Sequence, residues 1–244
     1  MITTITPTGD RQIALSLCRK WMNHQTVKPD QWIVVDDGES FSKWDFEPYV
    51  HYVRRNPCKT DPKHTLVLNI AEACRNIEPN SDFILIMEDD EYYSPKYIEA
   101  MVKAMQQHEV VGIGCSKYYH LPTGGYFVHG NMEHASLAQT ALYRSFLPDF
   151  FACIKNGMQT RWLDDQLWQI AQKKKSIYKS FIFVDKEESL YIGMKGLPGR
   201  NGIGIGHNVK TYRDKDDARR SILRGWAPKG YKEYFNLLGI EDHD

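Results

Sequence analysis

Apolar residues follow two rhythms over the first 120 positions. Ile2 to Thr6 predicts a short strand, and the apolar runs within Gln31 to Asp36 and Asp82 to Met87 predict buried ones. Tyr49 to Arg54 and Val110 to Cys115 predict two more. Between the runs, apolar positions recur at helical spacing: Ile13, Ala14, Leu17, Cys18 and Trp21, then Leu66, Ile70, Ala73, Cys74 and Ile77, then Ile98, Met101, Val102 and Met105. Asp10 is expected to cap the first helix, and Ser94-Pro95 to open the third.

Strands that alternate with helices predict right-handed βαβ units and a mainly parallel sheet, which binds ligands beyond the carboxyl ends of its strands. The last third is less regular. A helix interrupted by Pro148 is expected over Tyr143 to Asn156, another through Leu163, Leu167, Ile170 and Ala171, and a strand from Ile177 to Val184. Six glycines among the fourteen residues from Gly193 to Gly206 predict a loop. Two short helices, Asp216 to Arg224 and Tyr231 to Leu238, complete the pattern.

A chain of 244 residues, 42% hydrophobic and 25% charged, suits one globular domain. Lys and Arg number 31 and Asp and Glu number 31, which excludes a protein that coats nucleic acid through bulk charge. No apolar run reaches the roughly 18 residues of a membrane helix, and Met1 to Pro7 shows no secretory signal pattern. Cys18, Cys58, Cys74, Cys115 and Cys153 are widely spaced without a Cys-x-x-Cys pair, which argues for reduced thiols. With no Asn-x-Ser/Thr sequon either, a cytoplasmic address is expected.

Charge becomes informative where it is local. Two predicted strands end in acids, Asp36-Asp37-Gly38 and Glu88-Asp89-Asp90-Glu91. Four adjacent carboxylates repel unless solvent or a cation relieves them. A solvated acidic loop meets that need, and so does a hard divalent cation with oxygen ligands, Mg²⁺ or Mn²⁺. Two acidic strand ends at one sheet edge favour the cation.

These stretches resemble the GT-A fold glycosyltransferases, most closely the family-2 type. Trp32-Ile-Val-Val-Asp-Asp-Gly-Glu-Ser is similar to that family's second-strand motif, with Glu39 intruding before Ser40. Asp82-Phe-Ile-Leu-Ile-Met-Glu-Asp-Asp is similar to the strand ending in its Asp-x-Asp metal motif, with Glu88 as the first acid. Arg55-Asn56 and Thr65 to Asn69 echo a third segment. The resemblance implies an α/β, Rossmann-like GT-A fold: a mixed, mainly parallel sheet flanked by helices, with a short helical C-terminal extension. Residues 1–207 would form the catalytic domain, 1–120 its nucleotide-sugar half and 121–207 its acceptor half, with a basic, aromatic extension over 208–244. Thr6, Pro7 and Thr8 would line the nucleotide pocket, Asp36 or Asp37 would hold base or ribose, and Arg54 or Arg55 would assist. Glu88 and Asp89 would face the donor. Asp90, Glu88 and a C-terminal histidine, His207, would hold Mn²⁺ or Mg²⁺ against the donor's diphosphate.

Trp162-Leu-Asp164-Asp165 at a predicted helix start resembles the family's Glu-Asp pair, which implies Asp165 as general base and Asp164 beside it. An ionised carboxylate suits a helix N-terminus and can take a proton from an acceptor hydroxyl, giving inversion. An Asp in a first turn is also an ordinary helix stabiliser. Gly202 to His207 fits neither a dinucleotide fingerprint nor a P-loop; the resemblance implies a loop over the diphosphate, with Lys195 or Arg200 reaching phosphate oxygens.

Between Gly206 and Lys232, eight Lys or Arg stand against three Asp, with Tyr212, Trp226 and Tyr231 among them. Basic residues interleaved with aromatics suit a polyanion. For a protein resembling GT-A glycosyltransferases, this implies a hydroxylated base in DNA as acceptor, with Trp162, Arg219 and Arg220 on the acceptor side; anionic lipid headgroups and a plain solvated face are the alternatives. Two other function classes compete: a nucleotidyltransferase, whose Gly-rich signature with Lys after the first strand is missing, and a non-catalytic sugar- or nucleic-acid-binding domain.

Overall fold

Trp32 and Val34 belong to one hydrophobic cluster, Ile33 and Val35 to another, and all four are fully buried. Leu85 and Met87 divide from Ile84 and Ile86 in the same way. Alternate side chains of a strand point to opposite faces, so these strands have no wet face and need cover on both sides. The computed structural model describes residues 1–40, 47–157, 162–185, 189–200, 202 and 205–242. It supplies that cover.

The chain runs β1 (Ile2–Thr8), α1 (Gln12–His24), β2 (Gln31–Asp36), β3 (Val50–Arg54), α2 (Leu66–Cys74), β4 (Phe83–Ile86), β5 (Tyr92–Tyr93), α3 (Tyr97–Met105) and β6 (Val110–Ile113). A hairpin follows, β7 (Ser116–His120) and β8 (Gly125–His129), then β9 (Thr140–Tyr143), α4 (Leu147–Gly157), α5 (Leu163–Lys173), β10 (Ser180–Phe183) and β11 (Tyr191–Lys195). β12 (Asp214–Lys215), α6 (Ser221–Trp226) and α7 (Tyr231–Leu238) come last.

The main sheet has the order β10-β6-β9-β4-β1-β2-β3. It is parallel except for β9, which lies antiparallel between β4 and β6. One face packs on α2, α4 and α5 through Ile70, Phe150 and Trp168. The other packs on α1 and α3 and on a second sheet, β12-β8-β7-β11-β5. This mixed, helix-flanked sheet is the expected architecture.

Several local expectations are corrected. Asp10 does not cap α1; it sits at φ 54° and its Oδ1 accepts from the Glu39 backbone N–H at 2.8 Å, fixing the neighbouring turn instead. The N-cap of α1 is Arg11, whose side chain makes no cap bond. Pro148 does not interrupt a helix but stands in the first turn of α4, where its missing N–H costs nothing, and Tyr143 ends β9. The glycine-rich stretch begins inside strand β11, with Gly193 pressed against the Tyr118 ring. The C-terminal helices contribute Leu223, Tyr234 and Phe235 to the core beside Trp21. All five cysteines are unbridged. No helix among the described residues is long and apolar enough to cross a membrane.

Candidate active site

β1, β2 and β4 end side by side, so their following turns share one edge. A cleft of about 380 Å³ opens there, walled by the starts of α2 and α5 and by the end of β11. Pro7, Thr8, Asp37, Glu88, Asp89 and Asp90 line it on the donor-expected side. Trp162, Asp164, Lys195, Arg200 and His207 also line it. Thr6 does not: it is buried and accepts a hydrogen bond from the Trp32 indole at 2.8 Å. Arg219 and Arg220 do not either; the Arg220 guanidinium donates to the Tyr119 hydroxyl.

The two strand-end acids of β2 divide their work. Asp36 faces away from the cleft and accepts from the Gly38 N–H at 2.8 Å and the Tyr52 hydroxyl at 2.6 Å. Asp37 faces the cleft, with one oxygen on Arg55 and the other on Arg200, both at 2.6 Å. Burial alone would raise its pKa, but bonds from Thr65, Arg200 and Arg55 outweigh that and hold it below the usual aspartate range. Arg55 is itself shared with Asn69 and Asp61. Gly9 is glycine for a steric reason, since a Cβ there would run into the Arg200 guanidinium and the Asp37 carboxylate.

The acids after β4 are held by the second sheet. β5 pairs with β11, which brings Lys195 onto Glu91 in a buried ion pair. The Met194 N–H donates to the other Glu91 oxygen at 2.7 Å. Asp89 is fully enclosed, accepting from Thr8 Oγ1 and from Arg11, both at 2.7 Å. Asp90 is 8% exposed, and its Oδ1 is buried with no hydrogen-bond partner among the described residues. Glu88, Asp90 and Glu91 each bring an oxygen within 4.8 Å of the others. Burial, and then repulsion from Asp90, pushes Glu88 up to about 7. Burial acts on Asp90 too, but Lys195, Arg11 and His207 outweigh it and hold Asp90 below its ordinary range. Three close carboxylates and an orphaned oxygen fit a hard divalent cation. The third oxygen of this group comes from Glu91, where His207 was expected. His207 lies near enough to feel Asp90, and burial and Lys195 push it down to about 4, leaving a neutral imidazole.

On the opposite wall, α5 begins at Leu163 with Asp164 and Asp165 in its first turn. Asp164 lines the cleft, and burial, then Asp165, raises its carboxyl. Asp165 is turned outward, its carboxylate 45% exposed and 3.4 Å from His134. Of the adjacent acids, the residue facing the cleft is thus the one before the expected base. Sequence reasoning gave no role to Arg11, and none of its own to Glu91, Thr65 or Asn69, although they stood in the acidic run and in the third segment. Arg11 follows a turn, where arginine is usually solvated; no sequence signal marked it.

Residues 14–168, more than half of the chain, match the family model described as glycosyl transferase family 2. No curated protein sequence gives a significant match. Among solved structures, S. aureus TarS 1-349 is 15% identical at a TM-score of 0.56, covering 79% of this chain and 60% of that one. S. aureus TarS 1-349 in complex with UDP-GlcNAc is 16% identical at 0.53, covering 83% and 59%. The chain therefore spans about 60% of the TarS chains it resembles. A 4-diphosphocytidyl-2C-methyl-D-erythritol synthase from Anaerococcus prevotii DSM 20548 is 12% identical at 0.49, covering 76% and 87%. At these identities the likeness to the TarS structures is one of fold.

Proposed function

The chain belongs to glycosyl transferase family 2, and from that premise we propose that it moves a sugar from a nucleotide-sugar, such as a UDP-sugar, to an acceptor hydroxyl with inversion, Asp164 serving as base. One observation carries this reading: Asp90, one of whose oxygens has no hydrogen-bond partner among the described residues, and Asp164 line a single cleft.

Asp90 and Glu88 would hold Mg²⁺ or Mn²⁺, with Glu91 beside them. Bound there, the ion would neutralise charge gathering on the leaving diphosphate. The remaining steps belong to the chain. Asp37, with Arg55 and Arg200, sits where β2 meets the base and ribose. Lys195 and Arg200 present positive charge to phosphate oxygens. The Asp164 carboxylate takes the acceptor's hydroxyl proton. The acceptor oxygen bonds to the anomeric carbon as the bond from that carbon to the phosphate oxygen breaks, and its electron pair leaves with the nucleoside diphosphate. Trp162, exposed at the start of α5, offers the acceptor an apolar face beside Asp164.

For the acceptor we infer a polyanion carrying hydroxyls, of which DNA with a hydroxylated base is one. Lys210, Arg213, Arg219 and Lys229 support this, since all are exposed. Arg224 and Lys232 serve internally, paired with Asp242.

A panel of nucleotide-sugars with Mn²⁺, scored for the released product, tests the reaction class. Nucleoside diphosphate release supports glycosyl transfer. In a parallel arm with nucleoside triphosphates and sugar phosphates, pyrophosphate release would move the chain to the nucleotidyltransferases, and donor binding with neither product in either arm would leave a binding domain.

A further inference from the structure

We propose that Arg11 is a resident counter-cation of the acidic cluster: it contests Asp90 with the divalent ion and serves the diphosphate of the donor, so that it weakens the first ligand and strengthens the second. The inference rests on the donor reading above.

Arg11 Nη1 donates to Asp89 Oδ1 at 2.7 Å and lies 3.2 Å from Asp90 Oδ2. Its Nε donates to the Arg200 carbonyl at 2.7 Å. Asp89 is in turn fixed by Thr8. The guanidinium thus has one firm anchor, Asp89, and one longer contact, Asp90, that it can give up without leaving its place. These bonds use Nε and Nη1, none of them uses Nη2, and the side chain lines the cleft.

Charge balance sets the sign of each effect. Glu88 to Glu91 place four carboxylates together, and among the described residues the cations paired with them are Arg11 and Lys195. With all of these ionised, the cluster lacks two positive charges, which is one divalent ion. The orphaned Asp90 Oδ1 marks where that ion is drawn. A cation on Asp90 then shares a carboxylate with a guanidinium and is repelled by it. A diphosphate meets the reverse situation, because the planar guanidinium fork matches phosphate oxygens. A residue that only supported the fold would shift both ligands in one direction or neither.

The test is calorimetric titration of the full chain with Mn²⁺ alone, and with UDP in the presence of EDTA, for the unmodified protein and Arg11→Gln. Arg11→Gln is expected to bind Mn²⁺ about tenfold more tightly and metal-free UDP about tenfold more weakly. Arg11→Lys keeps a charge for Asp89 but loses the fork, and is expected to show the same signs at smaller size; it takes the place of Arg11→Gln if that variant does not fold. Mn²⁺ affinity that is unchanged or weaker in the folded variant overturns the proposal, as does unchanged UDP affinity. Failure of both variants to fold assigns Arg11 to the fold itself and overturns it too. An unmodified protein that binds neither Mn²⁺ nor UDP overturns the donor reading and this proposal together.

Discussion

The ends of β2 and β4 look alike in sequence, each an apolar strand running into acids, yet they behave differently. At Asp36-Asp37 every carboxylate oxygen has a partner, and the charge is met by Arg54 at Asp36 and by Arg55 and Arg200 at Asp37. At Glu88 to Glu91, among the described residues, the paired cations are fewer than the acids and an Asp90 oxygen has no partner, and Glu88 is pushed up to about 7. Acidity at a strand end is therefore not what marks a cation site. The mark is acidity that the folded chain leaves uncompensated, and the compensating residues come from far away in sequence, as Arg200 does for Asp37.

Substitutions can break this contrast. Asp90→Asn keeps size and removes charge, so transfer should fall by about 10³-fold or more while thermal unfolding shows an intact fold; a variant within tenfold of the unmodified rate would remove Asp90 from the reaction. Asp164→Asn should lower kcat by about 10²- to 10³-fold with little change in donor affinity, and Asp165→Asn by less than about threefold. The opposite ranking in a product-release assay would return the base to Asp165. On the compensated side, Asp37→Asn leaves Arg55 and Arg200 without their shared partner and should cost about 3 kcal/mol in urea unfolding.

Acid should act on that same pair. Because the Asp37 carboxyl is held below its ordinary value, the stability it contributes is present above that value and lost as pH falls through the lowered one. Asp37→Asn should flatten this acid limb of a stability–pH curve. Glu88 has the opposite sign: its raised carboxyl favours the fold at low pH, and this contribution disappears as pH rises through about 7. Mn²⁺ should restore it, so the thermal shift on adding Mn²⁺ should grow between about pH 5 and 7; a flat shift would show that Glu88 does not sense the ion. The smallest effect is expected at the exposed cations: if Lys210 and Arg213 meet a polyanion, the acceptor KM should rise about tenfold for a roughly fourfold increase in salt, and a salt-independent KM would exclude that acceptor class.

The parallel strands and their helices were legible because each is a local pattern, period two or period 3.6, with its own start and stop signals. β9 was not legible: Thr140 to Tyr143 is a four-residue strand whose identity depends on pairing with β4 and β6. The second sheet was invisible for the same reason, its strands being short and tied to partners as distant as Tyr92 and Ile192. The site was legible in its acids and in most of its cations, Arg55, Lys195 and Arg200, but not in Arg11. Asp36, Asp37 and Glu88 to Glu91 stand at strand ends that hydropathy locates. Arg11 gives no such sign, and whether Asp164 or Asp165 faces inward depends on the rotation of α5, which the order of the letters does not fix.

The insertion of β9 also governs how the molecule can be made. β4 and β6 emerge from the ribosome early, but the slot between them stays open until residue 143 has been synthesised, and both flanking edges expose unpaired backbone until then. Closure of the sheet is thus a late event between segments distant along the chain, slow by its topology. During that interval the nascent protein is most exposed to pairing with the wrong neighbour.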